Sequence, residues 1–166
     1  MNLSQSLLPE VDQEMAGTRK ILERVPEDKF AWKPHAKSFS MGALAQHVAT
    51  IPLWGHMTLE GDQFDLAGPE ASNFPAPVAS QKELLALFDA SAAKFRAALV
   101  AAHDAQLQAQ WSLVMGSRVI FTMPRLAVLR SSVMNHMIHH RAQLGVYLRL
   151  NDVPLPGLYG PSAYEK

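Results

Sequence analysis

The chain has no cysteine among its 166 residues, which removes disulfides, thiolate metal ligands and a cysteine nucleophile together. It also has no surplus of charge. Fifteen basic and fifteen acidic side chains cancel and the pI is near 7.1, so composition gives no electrostatic footprint for nucleic acid or another polyanion. No stretch approaches the roughly 18 uninterrupted apolar residues of a membrane span. The opening residues Met1-Asn2-Leu3-Ser4-Gln5-Ser6 carry no basic start and no continuous apolar run, so no signal peptide is expected. These absences leave a cytoplasmic protein, with neither nucleic acid nor membrane as a partner, as the expectation.

A hydrophobic content of 48% with 18% charged residues is that of an ordinary globular protein. The length suits one domain, residues 1–166, able to bury a core without staples. Apolar residues stepping at three and four predict a first helix over about residues 7–25, capped by Ser6, with Pro9 in its first turn and Val25-Pro26 as its end. Ser40 and Gly61 bracket a second helix over about residues 41–60, where Pro52 predicts a kink just after His47. Ser80-Gln81-Lys82-Glu83 has the form of a capping box for a third helix reaching about residue 105. A fourth runs from about Pro124 to Leu150. Before it, Leu113-Val114-Met115 and Val119-Ile120-Phe121 flank Gly116 as short runs able to be extended. The tail from Val153 to Lys166, rich in proline and glycine, is expected to lie over the surface. The sum is an all-α fold, a four-helix bundle with long crossover connections.

Seven histidines are unevenly placed on this scaffold. On the fourth helix, His136 and His140 are one turn apart and fall within the stripe of Leu129, Val133, Met137, Leu144 and Leu148. His139 projects roughly 120° from the centre of that stripe. On the second helix, His47 shares the stripe of Leu44, Val48, Ile51 and Trp54, and His56 points away. His35 and His103 have no obvious partner. Spacing alone leaves two readings open: three imidazoles converging on a metal ion, or buried histidines each satisfied by its own hydrogen bonds. Trp54, Tyr147 and Gln143 are candidates to line a cavity at this point, with ordinary packing the simpler reading. Arg141 is expected in a surface salt bridge. A second stripe of Ala127, Met134, Ile138, Ala142 and Gly145 suits close approach of another helix or subunit.

Several segments together resemble the DinB-like family of metal-dependent four-helix-bundle enzymes. They are Leu44-Ala45-Gln46-His47-Val48-Ala49, Phe121-Thr122-Met123-Pro124-Arg125, the run His136-Met137-Ile138-His139-His140-Arg141-Ala142-Gln143-Leu144, and the tail Val153-Pro154-Leu155-Pro156-Gly157-Leu158-Tyr159-Gly160-Pro161-Ser162. The third is similar to the family's His-x-x-His-His-Arg-Gly-Gln-Leu signature, with Ala142 in the place of its glycine. The resemblance implies a three-histidine site on His47, His136 and His140. It implies a divalent metal cofactor, zinc or nickel first and iron or manganese as alternatives, and a homodimer. It further implies transfer of a low-molecular-weight thiol to a small electrophilic substrate. A metal-stabilised bundle without turnover and a metal-dependent hydrolase are the alternatives.

Overall fold

The structure, a computed structural model, describes residues 2–165 and, for Asn73, the backbone alone; Met1 and Lys166, the ends of the expected domain and tail, lie outside the described residues. Helix α1 spans Leu3–Leu22, α2 Met41–Glu60 and α3 Gln81–Ala101, and a short α4 covers Asp104–Gln108. The fourth long helical span is composite. It consists of α5, Arg125–Val128, then a π-helical segment, Leu129–Asn135, then α6, His136–Arg149. Leu22, Leu44, Ile51, Leu84, Phe95, Leu99, Met137 and Leu144 meet in one core drawn from all four spans.

Local chemistry explains the boundaries. Asn2, not Ser6, caps α1, because its side chain accepts from the Gln5 amide while Gln5 reaches back to the Asn2 amide. Pro9 consequently sits inside the helix, not in its first turn. Helix α1 also stops at Leu22, three residues before the expected Val25. Helix α2 matches its expected limits, with the Ser40 hydroxyl accepting from the Ala43 amide, and it continues through Pro52. At α3 the Ser80 hydroxyl accepts from the Glu83 amide, but Glu83 reaches the Ala79 amide, one residue beyond the expected box. Helix α3 ends at Ala101, and His103 then caps α4 by accepting from the Gln106 amide.

The all-α expectation is corrected by a small three-stranded sheet. Strand β2, Gln110–Met115, pairs antiparallel with β3, Arg118–Pro124, and parallel with β1, Gln63–Asp65. The two apolar runs around Gly116 are the hairpin. Gly116 has φ +59°, the left-handed conformation a tight two-residue turn demands, and its amide is held by Asp65. Trp111 and Phe64 pack on Val128 as a second small core beneath the sheet.

Arg125 locks the sheet to the helices. Its buried guanidinium donates to the carbonyls of Thr58, Gly61 and Gln110 and to the Asp62 carboxylate, satisfying the open C-terminal turn of α2. Arg141 corrects a second expectation. It is 3% exposed, not at the surface, and pairs with Glu14, itself 5% exposed, at 2.7 Å. The Tyr159 hydroxyl donates to the same carboxylate, which straps the tail across α1 and α6. The tail also places Leu155 against Gly145, so part of the small-residue stripe is covered by the chain itself.

Candidate metal centre

Two helices supply the site. Helix α2 carries His47 on its buried side, one position from the core residue Val48. Helix α6 carries His136 as its first residue and His140 one turn later. The π-helical segment ends where His136 begins. Its wider turns leave backbone carbonyls that a side chain can engage, and such segments recur at functional positions. Here the Ser131 hydroxyl donates to the Ala127 carbonyl and the Ser132 carbonyl lies 3.3 Å from Nδ1 of His136. Serine back-bonding of this kind competes with the regular ladder.

The structure brings His47, His136 and His140 together, each half-buried, with one ring nitrogen per residue lying within 4.8 Å of the others. The Nε2 atoms of His47 and His136 are 3.3 Å apart. Two nitrogens each about 2.0–2.1 Å from a tetrahedral zinc ion stand about 3.3 Å apart, so this pair has a ligand's spacing. The partners on the far side of the rings agree. His136 directs Nδ1 to the Ser132 carbonyl, and His140 directs Nδ1 to Oε1 of Gln143 at 2.8 Å. An Nδ1–H donated to an oxygen fixes the tautomer and leaves Nε2 as a lone pair, which is how metal-bound imidazoles are commonly oriented. The three residues could therefore hold a divalent metal ion.

Electrostatics favour the same form of the rings. Burial, then the neighbouring His140 and His136, lowers His47 from 6.5 to about 4. Burial and His140 likewise lower His136, against a smaller opposing effect of the Ser132 carbonyl. Both imidazoles are held neutral at ordinary pH, the state in which they ligate.

His139 stays outside the cluster. It is exposed, and its Nε2 accepts from Nε2 of Gln143. Gln143 thus braces both neighbouring rings; the sequence singled it out as a lining residue, not as an orienting one. Trp54 packs against His136 and His47, with ring centroids 5.3 and 5.8 Å away. Tyr147 makes an edge contact with Trp32. His56 faces Glu60, and His35 accepts from the Lys37 amide, so neither approaches the cluster.

Two hollows flank the histidines. One, of about 590 Å³, lies between α2, the sheet and the π-helical segment, with His136 and His139 in its wall. The other, of about 500 Å³ and more open, is bordered by His47, Phe39 and Pro75. Phe74 lines both. Gln46 shapes the second by donating to the carbonyls of Pro75 and Ala76 and accepting from the Val78 amide. Of the three side chains expected to line a cavity here, Trp54 borders the first hollow, whereas Tyr147 and Gln143 are in the wall of neither, and the part of the wall that the sheet supplies was not expected.

A sequence profile described as the DinB family matches residues 1–166. The uncharacterised protein YrdA of Bacillus subtilis (strain 168) is 26% identical over 156 residues, covering 92% of this chain and 85% of that protein. Among solved structures, a DinB-like protein of Bacillus cereus ATCC 10987 superposes with a TM-score of 0.71 at 23% identity, over 93% of this chain and 97% of that one. The DinB-like protein YjoA of B. subtilis gives 0.70 at 19% identity, over 97% and 98%. At these identities the structural likeness concerns the fold.

Proposed function

The chain belongs to the DinB family, and from that premise we propose that it is a divalent-metal enzyme transferring a low-molecular-weight thiol to a small electrophilic molecule. His47, His136 and His140 hold the ion, zinc or nickel first, with iron or manganese as alternatives. The observation that carries this reading is the convergence of three half-buried imidazoles, with His47 and His136 held neutral, between two hollows instead of inside a sealed core. A structural ion would be expected in a closed site with four protein ligands. Three ligands leave a position for a reactant.

Bound there, a divalent ion lowers the pKa of a coordinated thiol or water and so supplies a nucleophile near neutral pH. The protein's own part is positional. Ser132 and Gln143 fix two of the rings, and Trp54 closes one flank of the histidines. With no cysteine in the chain, the sulfur arrives as a cosubstrate. The reading also treats the four long helical spans as a bundle and the protein as a cytoplasmic homodimer. Ala127, Ile138 and Ala142 remain accessible for a dimer contact even though Leu155 covers Gly145. Light scattering at micromolar concentration tests the dimer, and a monomer alone would remove it.

The test of activity is a transfer screen pairing small thiols with generic electrophiles, run on metal-loaded, chelated and His140→Ala protein. Conjugate formation should require both the metal and His140. Turnover that survives chelation, or conjugation equal to the uncatalysed rate with every thiol, would overturn the transferase reading.

A further inference from the structure

The larger hollow has a chemical character of its own. Its wall is built from aromatic and aliphatic side chains, chiefly Trp54, Phe64, Phe74, Trp111, Leu113 and Phe121. Among the described residues no aspartate, glutamate, lysine or arginine lines it; the polar groups are short and neutral, apart from the two histidines at one end. Two indoles in the wall, those of Trp54 and Trp111, have buried N–H groups with no acceptor among the described residues. A buried N–H without a partner is costly, and tryptophans normally find one. Trp111 is 5% exposed, so its indole has little access to bulk solvent. A charged ligand entering this space would lose its hydration and find no opposite charge in return. An uncharged ligand with an acceptor oxygen would lose little and would offer the indoles what they lack.

We propose that this hollow is a binding site for an uncharged, predominantly apolar molecule, with an aromatic or branched carbon skeleton and a carbonyl or ether oxygen, lying with one end at His136. Its volume falls within the range of small-molecule sites, and the apolar wall with few polar groups is their usual make-up. As the acceptor-substrate site, this assignment rests on the metal-enzyme reading above; as a binding site it does not.

The experiment compares two probes of nearly equal shape, 2-acetylnaphthalene and 2-naphthoate, which differ in charge. Binding to the full chain is followed by calorimetry and by quenching of tryptophan fluorescence, with and without added zinc, and zinc stoichiometry is measured separately. The ketone should bind in both states, roughly tenfold or more tighter than the carboxylate. Ser131→Trp and Leu66→Trp, at exposed positions of the wall, fill the space without touching the inner core. Each should weaken the ketone by about tenfold or more while zinc stoichiometry and helicity persist. Equal or tighter binding of the carboxylate, or ketone binding indifferent to both variants, overturns the proposal. Zinc binding without ketone binding also overturns it. Ketone binding without zinc binding upholds the site and overturns the metal reading.

Discussion

At the scale of single residues, the convergence of His140, and not His139, with His47 and His136 was legible from the angular position of each on one helix. The hydrogen bonds that orient the rings were not, because they depend on a backbone carbonyl and on a glutamine rotamer. Gln143 contacts both histidines, so its variants separate orientation from ligation. His139→Ala should retain full metal stoichiometry, whereas Gln143→Ala should retain the site but lower metal affinity by about 10–100-fold. A competition titration against a chelator of known affinity reads this; an unchanged affinity in Gln143→Ala would remove its orienting role. The depressed His47 gives a pH prediction for the metal-free protein. Its imidazole binds a proton more readily in the unfolded chain, near 6.5, than in the fold, near 4. Stability from keeping it neutral is therefore complete above about 6.5, erodes as pH falls toward about 4, and falls no further below. Melting temperatures across this window should drop less steeply in His47→Gln than in the parent. Parallel curves would contradict the assignment.

At the scale of elements, the helices with strong local signals were legible and the devices between them were not. Ser40 and Gly61 fixed α2 because cap and stop are short-range chemistry. Strand β1 is three residues long and pairs with β2 across a large sequence separation, so no local pattern announced it. The π-helical segment escaped for a related reason. A wheel drawn at constant pitch through residues 124–150 cannot register its wider turns; Met134, placed on the second stripe suited to another helix or subunit, is 2% exposed within the chain's own core. Within α6 alone the constant pitch holds, so His136 and His140 do share one face and meet His47. Packing between α2 and α3 depends on Gly55, where an added Cβ would lie 2.5 Å from the Phe95 ring. Gly55→Ala should cost about 1–3 kcal/mol by overpacking, despite alanine's better helix propensity. Denaturant unfolding checks it, and a neutral or stabilising result would show that the two helices separate easily.

At the scale of the whole molecule, two devices join distant segments without a metal. Arg125 clamps the sheet to the end of α2, and Arg141 with Glu14 and Tyr159 ties the tail to α1 and α6. Neither was legible, since each partner lies far away in the sequence. Arg141→Met leaves a buried carboxylate unpaired and should destabilise by about 3–5 kcal/mol, read by denaturant unfolding. A loss below about 1 kcal/mol would mean that Tyr159 and solvent suffice for Glu14. Because one continuous core draws on all four helical spans, chelation should strip a metal ion before it removes helicity. The most direct test is elemental analysis of protein purified without an affinity tag and reloaded with zinc or nickel, beside His47→Ala, His136→Ala and His140→Ala. About one ion per chain in the parent, lost in each variant with helical circular dichroism intact, is the expected result. A parent that binds no ion, or variants that hold it as well as the parent, would contradict the metal centre.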